Sequence, residues 1–376
     1  MVDATGLEQF MSALADMARG AHQPSILPIW QRELLFARNP PQISCNHPEY
    51  DQLPINTQDR AIISSYEKDM TQRSFFFGQT DIASLHGLVP PHHGHCTRFE
   101  LITACIWCCR TKALQLAPED EVRMMCIVNA RDRFNPKIPI GYYGNVFVYP
   151  AAVTTVKKLC ENPLGYAVEL IKKVKAEVTE EYVRSVADLM VTKRRPLFTT
   201  VGSFIVSNLT RVGLIEVDFG WGKALYAGVS KGGAGPSIHD ATFYMDYQNE
   251  NGEEGVLFPI YLPSIAMERF EKELGDMLGG DLSNNQQPTK TDEIPTLNII
   301  RDKGSKPKFP ILKKFHLGER TSRVPVRSDR PVFGQFTDSI PAFSRAISAC
   351  RPIRFHDRTT VEPVRPSGPN RFTEPC

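Results

Sequence analysis

Several features are scarce or missing in these 376 residues, and each absence removes a class of function. No apolar run approaches the ~18 residues that a membrane-spanning helix needs, so a membrane protein is not expected. The formal charge is only +2, with 44 Lys and Arg against 42 Asp and Glu. That balance does not mark the whole molecule as a partner of nucleic acid or of a lipid surface. The nine cysteines show no framework spacing, and nothing at the start resembles a secretory apolar core. A reducing, cytoplasmic compartment without structural disulfides is the simplest expectation. What is present is ordinary: 41% hydrophobic and 23% charged residues describe a soluble globular protein with a real core. The length predicts one large or two smaller domains.

Charge and proline are unevenly placed. From Ser283 to the end there are 17 Lys and Arg against 9 Asp and Glu, and 12 of the 29 prolines lie there as well. This stretch holds no sustained period of 3.6 or 2, so residues 283–376 read as a basic, Pro-rich, disordered or irregular tail. The body is 1–282.

Within the body, Leu7, Phe10, Met11, Leu14 and Met17 recur at helical spacing from the start. Six prolines between Ala21 and Pro54 suit a crossover between domains, broken by a short helix at Trp30–Ala37. A strand is expected at Arg73–Phe77. Thr97 and Glu100 form a capping box for a helix whose buried stripe is Ile102, Cys105, Ile106 and Cys109. VRMMCIVNA and GNVFVYPAAV read as strands covered on both faces. Pro163–Val191 reads as a long amphipathic helical region, PLFTTVGSFIVSNL as β-rich, and LIEVD as a strand ending on its aspartate. ATFYMDYQ and EEGVLFPIYL flank Asn251-Gly252, a hairpin signal because both turn residues tolerate positive φ. The last helix, PSIAMERFEKELGDML, stops at Gly279-Gly280. This order of elements fits only a mixed α/β class.

Most polar clusters have plain explanations. His92, His93, His95 and Cys96 crowd a Pro-Gly loop without the paired spacing of a structural zinc site, so a surface loop is the better reading. Cys105, Cys108 and Cys109 lie on a helix with apolar neighbours and read as core. Ser230–Ser237 lacks the spacing and lysine of a P-loop. Lys193-Arg194-Arg195 reads as a solvated cationic face. DFGWG, at Asp218, Phe219, Gly220, Trp221 and Gly222, differs in kind. Two glycines flank an indole directly after an aspartate, and a buried aspartate there would need a cation or several amide donors.

With DFGWG the sequence resembles the BAHD family of plant acyl-CoA-dependent acyltransferases. CTRFELITACIW, VNARDRFNP, GYYGN and VGSFIVSNLTRVGLIEVDFGWGKALYAG follow in the family's order, and the likeness runs from Met1 to Gly280 but not into the tail. The nearest branch acylates small alcohols such as benzyl alcohol. Its other motif, H-T-M-x-D-A followed by a small residue and Gly-Leu, is matched from Met1 through Asp3 to Leu7. The histidine would fall four residues before Asp3.

The resemblance implies a chloramphenicol-acetyltransferase-like fold. Residues 1–40 would be a remnant of the first domain, 41–54 the crossover loop and 55–282 the second domain. It implies acyl-CoA and a small alcohol as substrates of a cytoplasmic monomer, with no metal, no cofactor, no nucleic acid and no membrane. The motif histidine would take the alcohol's proton directly, while Asp3 would be structural and pair with an arginine. Asp218 would be structural too, with Arg131 as its expected ion-pair partner. Ser207, eleven residues before Asp218, and Leu209 would face the alcohol. The chain as written then lacks the catalytic base, so a non-catalytic fragment is the rival reading. A nucleic-acid-binding tail is a third, without the interleaved aromatics that would support it.

Overall fold

The computed structural model describes residues 2–51, 69–91, 95–196, 202–224, 226–229, 241–249 and 251–279. The tail 283–376, the loop Ser230–Ser237, His92 and His93 lie outside the described residues.

A six-stranded mixed sheet organises the chain. It comprises β1 (Met70–Phe77), β2 (Glu121–Cys126), β5 (Ala151–Thr155), β6 (Ser203–Asn208), β7 (Ala241–Gln248) and β8 (Glu254–Pro263). Their order is β1-β8-β7-β6-β2-β5, with β6 parallel to both β2 and β7 and the other pairs antiparallel. A separate two-stranded pair joins β3 (Val128–Asn129) to β4 (Phe147–Val148). Each of the two continuous apolar runs therefore divides into two strands.

Helix α1 (Ala4–Ala18) leads the chain. Then come α2 (Gln79–Gly87), α3 (Arg98–Leu114), α4 (Val156–Glu161), α5 (Leu164–Glu177), α6 (Glu180–Thr192) and α7 (Ser264–Leu278). The long helical region is two helices because Val178 is extended and Thr179 starts a new N-cap, its hydroxyl accepting the Tyr182 amide. Helix α3 is the hub. Thr97 and Glu100 form the expected capping box, and Glu100 also receives Lys175 of α5 at 2.6 Å. Burial of Trp107, Cys105, Cys108 and Cys109 against the sheet, α5 and α7 makes this the core. Burial pushes the Cys126 thiol up to about 12. Cys105, Cys108 and Cys109 are packed as small hydrophobes, as their helical neighbours predicted.

Alternation along the strands sorts side chains to two faces. Met124, Cys126, Phe204, Val206 and Tyr244 join the helix-covered core. Met125, Ile205 and Phe243 turn to the other face and gather with Tyr149, Ala151 and Ala241. Three sequence expectations differ from the structure. LIEVD is no strand: Leu214–Glu216 is a single 3-10 turn, and Asp218 follows on irregular backbone. The short helix is 3-10 and covers only Arg32–Leu35. In the hairpin, pairing stops at Gln248↔Glu254, and the Asn249 side chain accepts the amides of Asn251 and Glu253 at 3.0 and 2.9 Å. That side chain closes the loop between them, and Gly252 alone of the Asn251-Gly252 pair has the positive φ expected of both.

Candidate functional site

Asp3 is held through four hydrogen bonds to its carboxylate. It N-caps α1 with extended backbone, its Oδ1 accepting the Gly6 amide at 2.8 Å. The same carboxylate takes a bidentate pair from Arg131, at 2.6 Å to Oδ2 and 2.9 Å to Oδ1. The Val146 amide adds a fourth bond at 2.9 Å. Arg131 in turn donates to the carbonyls of Gly144 and Tyr142, at 2.9 and 3.3 Å. Asn129 reaches the Thr5 hydroxyl at 3.2 Å. The side chains of Asp3 and Arg131 are only 7% and 11% exposed, so water does not compete for this pair. Helix α1 lies close enough that a Cβ on Gly6 would collide with the Tyr143 carbonyl.

Arg131 was the expected partner of Asp218, and the structure corrects this: Arg131 is spent on Asp3. Asp218 is neutralised differently. Its Oδ1 accepts three successive amides, from Gly220 at 2.7 Å, Trp221 at 3.1 Å and Gly222 at 2.9 Å. The loop can curl this tightly because Gly220 and Gly222 both sit at φ near +99°, a region side chains avoid. These amides, those of Gly220 and Gly222 foremost, hold the Asp218 carboxyl below its ordinary value, with Arg19 a lesser contributor. Arg19, at the end of α1, also donates to the Asp218 carbonyl. Trp221 is 83% exposed and stacks on Phe219, rings 6.4 Å apart. The motif is a self-contained turn latched to α1, not a buried strand end.

Ser207 and Leu209 belong to the sheet face away from the helices. Ser207 is buried on β6 opposite Phe243, on the side of Ile205. Leu209 donates its amide to Tyr244 at 2.8 Å and packs on the Ile205–Phe243 cluster. Phe147, next to the Val146 that binds Asp3, packs on the same cluster. Ser207 and Leu209 therefore lie on one sheet face, which Phe147, one residue from the Asp3 contact, also reaches. His95 is exposed beside a half-buried Cys96, and among the described residues no group of His, Cys, Asp and Glu gathers to hold a metal. No helix among them is long and apolar enough to cross a membrane.

One constellation escaped the sequence reading. Arg38 clamps α6 by donating to Asp188 from its amide at 2.7 Å and its Nε at 2.6 Å, and to Glu181 at 2.8 Å. The Gln42 amide also binds Asp188, at 3.0 Å. The Ser185 hydroxyl accepts the amides of Ser44 and Cys45, so its own proton goes to His47 Nε2, 2.8 Å away. His47 Nδ1 then faces Glu49 at 3.1 Å, and Tyr182 donates to the same Glu49 oxygen at 2.7 Å. Ser185, His47 and Glu49 have the order of a hydrolytic triad, yet all three are buried and closed off by these bonds, and they fasten residues 38–51 to α6. The available signal was polar Glu181, Ser185 and Asp188 at i, i+4 and i+7 on a helix otherwise packed through Val183, Val186 and Leu189.

Comparison with known proteins places this arrangement. The family model described as the Transferase family matches residues 1–277. A benzyl alcohol O-benzoyltransferase of Petunia hybrida is 57% identical over 281 residues, 75% of this chain and 60% of that enzyme. An alcohol acyl transferase of Malus domestica (allele GSa) is 49% identical over 77% of this chain and 63% of its own length. The chain thus spans about three fifths of the curated relatives it matches. Among solved structures, vinorine synthase superposes with a TM-score of 0.52 at 20% identity, over 73% of this chain and 60% of that one. The F. sporotrichioides TRI101 complex with coenzyme A and T-2 gives 0.53 at 15% identity, over 72% and 62%. Those likenesses are of fold, chloramphenicol-acetyltransferase-like as the motifs implied.

Proposed function

Because this chain belongs to the BAHD family of acyltransferases, we propose that residues 1–277 serve acyl transfer from an acyl-CoA thioester to the hydroxyl of a small alcohol, releasing ester and free CoA. The identity to a benzyl alcohol O-benzoyltransferase makes benzoyl-CoA and benzyl alcohol the first pair to test.

The observation that carries the reading is the Asp3 knot. A carboxylate whose two oxygens are held by Arg131, Gly6 and Val146 has no capacity left for a substrate proton. It is an anchor, the role the resemblance gives the aspartate of H-x-x-x-D. The proton acceptor in this reading is the histidine of that motif, four positions before the aspartate in the family pattern. An imidazole with an ordinary pKa of ~6.5 takes the hydroxyl proton at neutral pH as oxygen attacks the thioester carbonyl. The same proton then passes to the leaving thiolate. Ser207 and Leu209 shape the alcohol side of the pocket, and the Asp218 turn holds the end of α1.

The test is a chimera in which the leading portion of the Petunia enzyme, through its His-Thr, is joined ahead of Met1. Benzyl benzoate formed from benzoyl-CoA and benzyl alcohol supports the assignment. A folded chimera that binds neither substrate and makes no ester overturns it.

A further inference from the structure

The polar network that joins residues 38–51 to α6 is buried, and its hydrogens leave little freedom. The Ser185 hydroxyl accepts two amides, from Ser44 and Cys45 at 3.0 Å each, so both its lone pairs are in use. Its proton therefore points at His47 Nε2, 2.8 Å away, and the imidazole proton sits on Nδ1, facing Glu49 Oε1 at 3.1 Å. Tyr182 donates to that same oxygen at 2.7 Å, while Glu49 Oε2 has no hydrogen-bond partner among the described residues. His47, Glu49 and Ser185 are 4%, 0% and 0% exposed. The neighbouring charges are already paired. On α6, Glu181 and Asp188 bind Arg38, and Glu180 binds Arg184. From β2, Arg123 is held by Glu121 and by the Pro48 and Asp51 carbonyls. Burial first, and the Glu49 charge after it, push the Tyr50 and Tyr182 phenols up, so both stay protonated. Two more titratable neighbours are Tyr149, beside Tyr50, and the Cys45 thiol, beside Tyr182.

A proton entering this cluster goes to the His47–Glu49 pair, which has two places for it. On Nε2 it meets a hydroxyl whose lone pairs are both in use, so Ser185 must give up Ser44 or Cys45. On Oε2 it cancels the carboxylate charge to which His47 and Tyr182 donate, and it leaves a buried O–H without an acceptor among the described residues. Either way, the bonds that weaken are those fastening residues 38–51 to α6. We propose that His47, Glu49 and Ser185 form a proton-operated latch, shut while the imidazole is neutral, which lets residues 38–51 part from α6 when the pair takes a proton. Histidine ordinarily changes charge between about pH 5 and 8, so mild acid is enough to work it. Opening reaches the candidate site, because Pro48–Tyr50 packs on β5 and Tyr50 lies beside Tyr149, a member of the cluster on which Leu209 packs.

Hydrogen exchange read by mass spectrometry on the full 376-residue chain tests this, at about pH 8 and about pH 5, with rates normalised to intrinsic exchange at each pH. Asp188 stays ionised at both, its carboxyl lying below the ordinary 3.8, so the Arg38 clamp is not itself titrated. Protection of peptides covering residues 38–51 should fall in acid by on the order of tenfold, the equivalent of one pKa unit of linkage, while α3 keeps its protection. His47→Gln keeps a donor and an acceptor without titrating, and it should abolish the change. Unchanged protection of 38–51 in the wild type would overturn the latch. So would an equal fall in His47→Gln, or an equal fall in α3, which would mean that the whole molecule unfolds. If His47→Gln does not fold, Glu49→Gln serves instead. It removes the anion that draws the proton, so opening should move to lower pH, and an unmoved midpoint would overturn the proposal as well.

Discussion

Removing the Asp3 carboxylate should be among the costliest single changes outside the hydrophobic core. Asp3→Ala leaves the Arg131 guanidinium with the Gly144 and Tyr142 carbonyls at 2.9 and 3.3 Å, the Asn129 Oδ1 at 3.4 Å, and no anion. The amides of Gly6 and Val146 lose their acceptor as well. With the two side chains 7% and 11% exposed, solvent does not repair the loss. Breaking a buried pair by removing one partner costs about 3–5 kcal/mol, of which the lost helix cap accounts for ~1. For a urea slope of about 2–3 kcal/mol per molar, the midpoint should fall by about 1–2.5 M. Asp3→Asn keeps an oxygen for Gly6 but turns an N–H toward donors, so it should retain the cap and lose most of the rest. Hydrogen exchange should show α1 loosening first. A change below ~1 kcal/mol in Asp3→Ala, with α1 amides as protected as before, would refute the reasoning.

Gly6→Ala sets helix propensity against contact. Alanine gains ~1 kcal/mol in a helix, but its methyl meets the Tyr143 carbonyl, and such overpacking costs about 1–3 kcal/mol, so net destabilisation is expected in a urea melt. Trp221→Ala should shift stability by no more than about 0.5 kcal/mol, because the indole is 83% exposed; a larger loss by calorimetry would mean that the motif has a packing role not seen here. For Asp188, burial alone would raise the pKa, but the Gln42 amide and the Arg38 guanidinium and amide outweigh it and leave it lowered. A lowered folded pKa means that its stabilisation is complete above the ordinary value of 3.8 and fades as pH falls through the folded value. Urea midpoints of the wild type and Asp188→Asn should therefore converge below that pH, and a constant gap from neutral to acid would contradict the clamp.

How legible was this in the sequence? The α3 helix was, because a capping box and a stripe of Ile and Cys are local signals that the core enforces. The mixed sheet was legible as a class, since strands buried on both faces lack polar alternation. The LIEVD stretch was misread because alternating apolar residues do not reveal that the Asp218 turn supplies its own amides. The Arg131 assignment failed for a related reason: two aspartates compete for one arginine, and proximity to Asp3 is set by the Tyr143–Val146 loop, which no spacing encodes. The clamp of Arg38, His47 and Glu49 on α6 was invisible because its partners are more than 130 residues apart. Only the polar stripe on α6 hinted at it. Motif resemblance supplied what spacing could not, an arginine partner for Asp3.

The central proposal is that residues 1–277 serve acyl transfer with Asp3 as an anchor held by Arg131, not as a proton acceptor. Benzyl benzoate formation by the Petunia chimera, measured beside the same chimera with its motif histidine changed to alanine at equal folded concentration, tests it most directly. The histidine variant should be slower by about 10²–10⁴, the usual contribution of a general base. Equal rates would contradict the account.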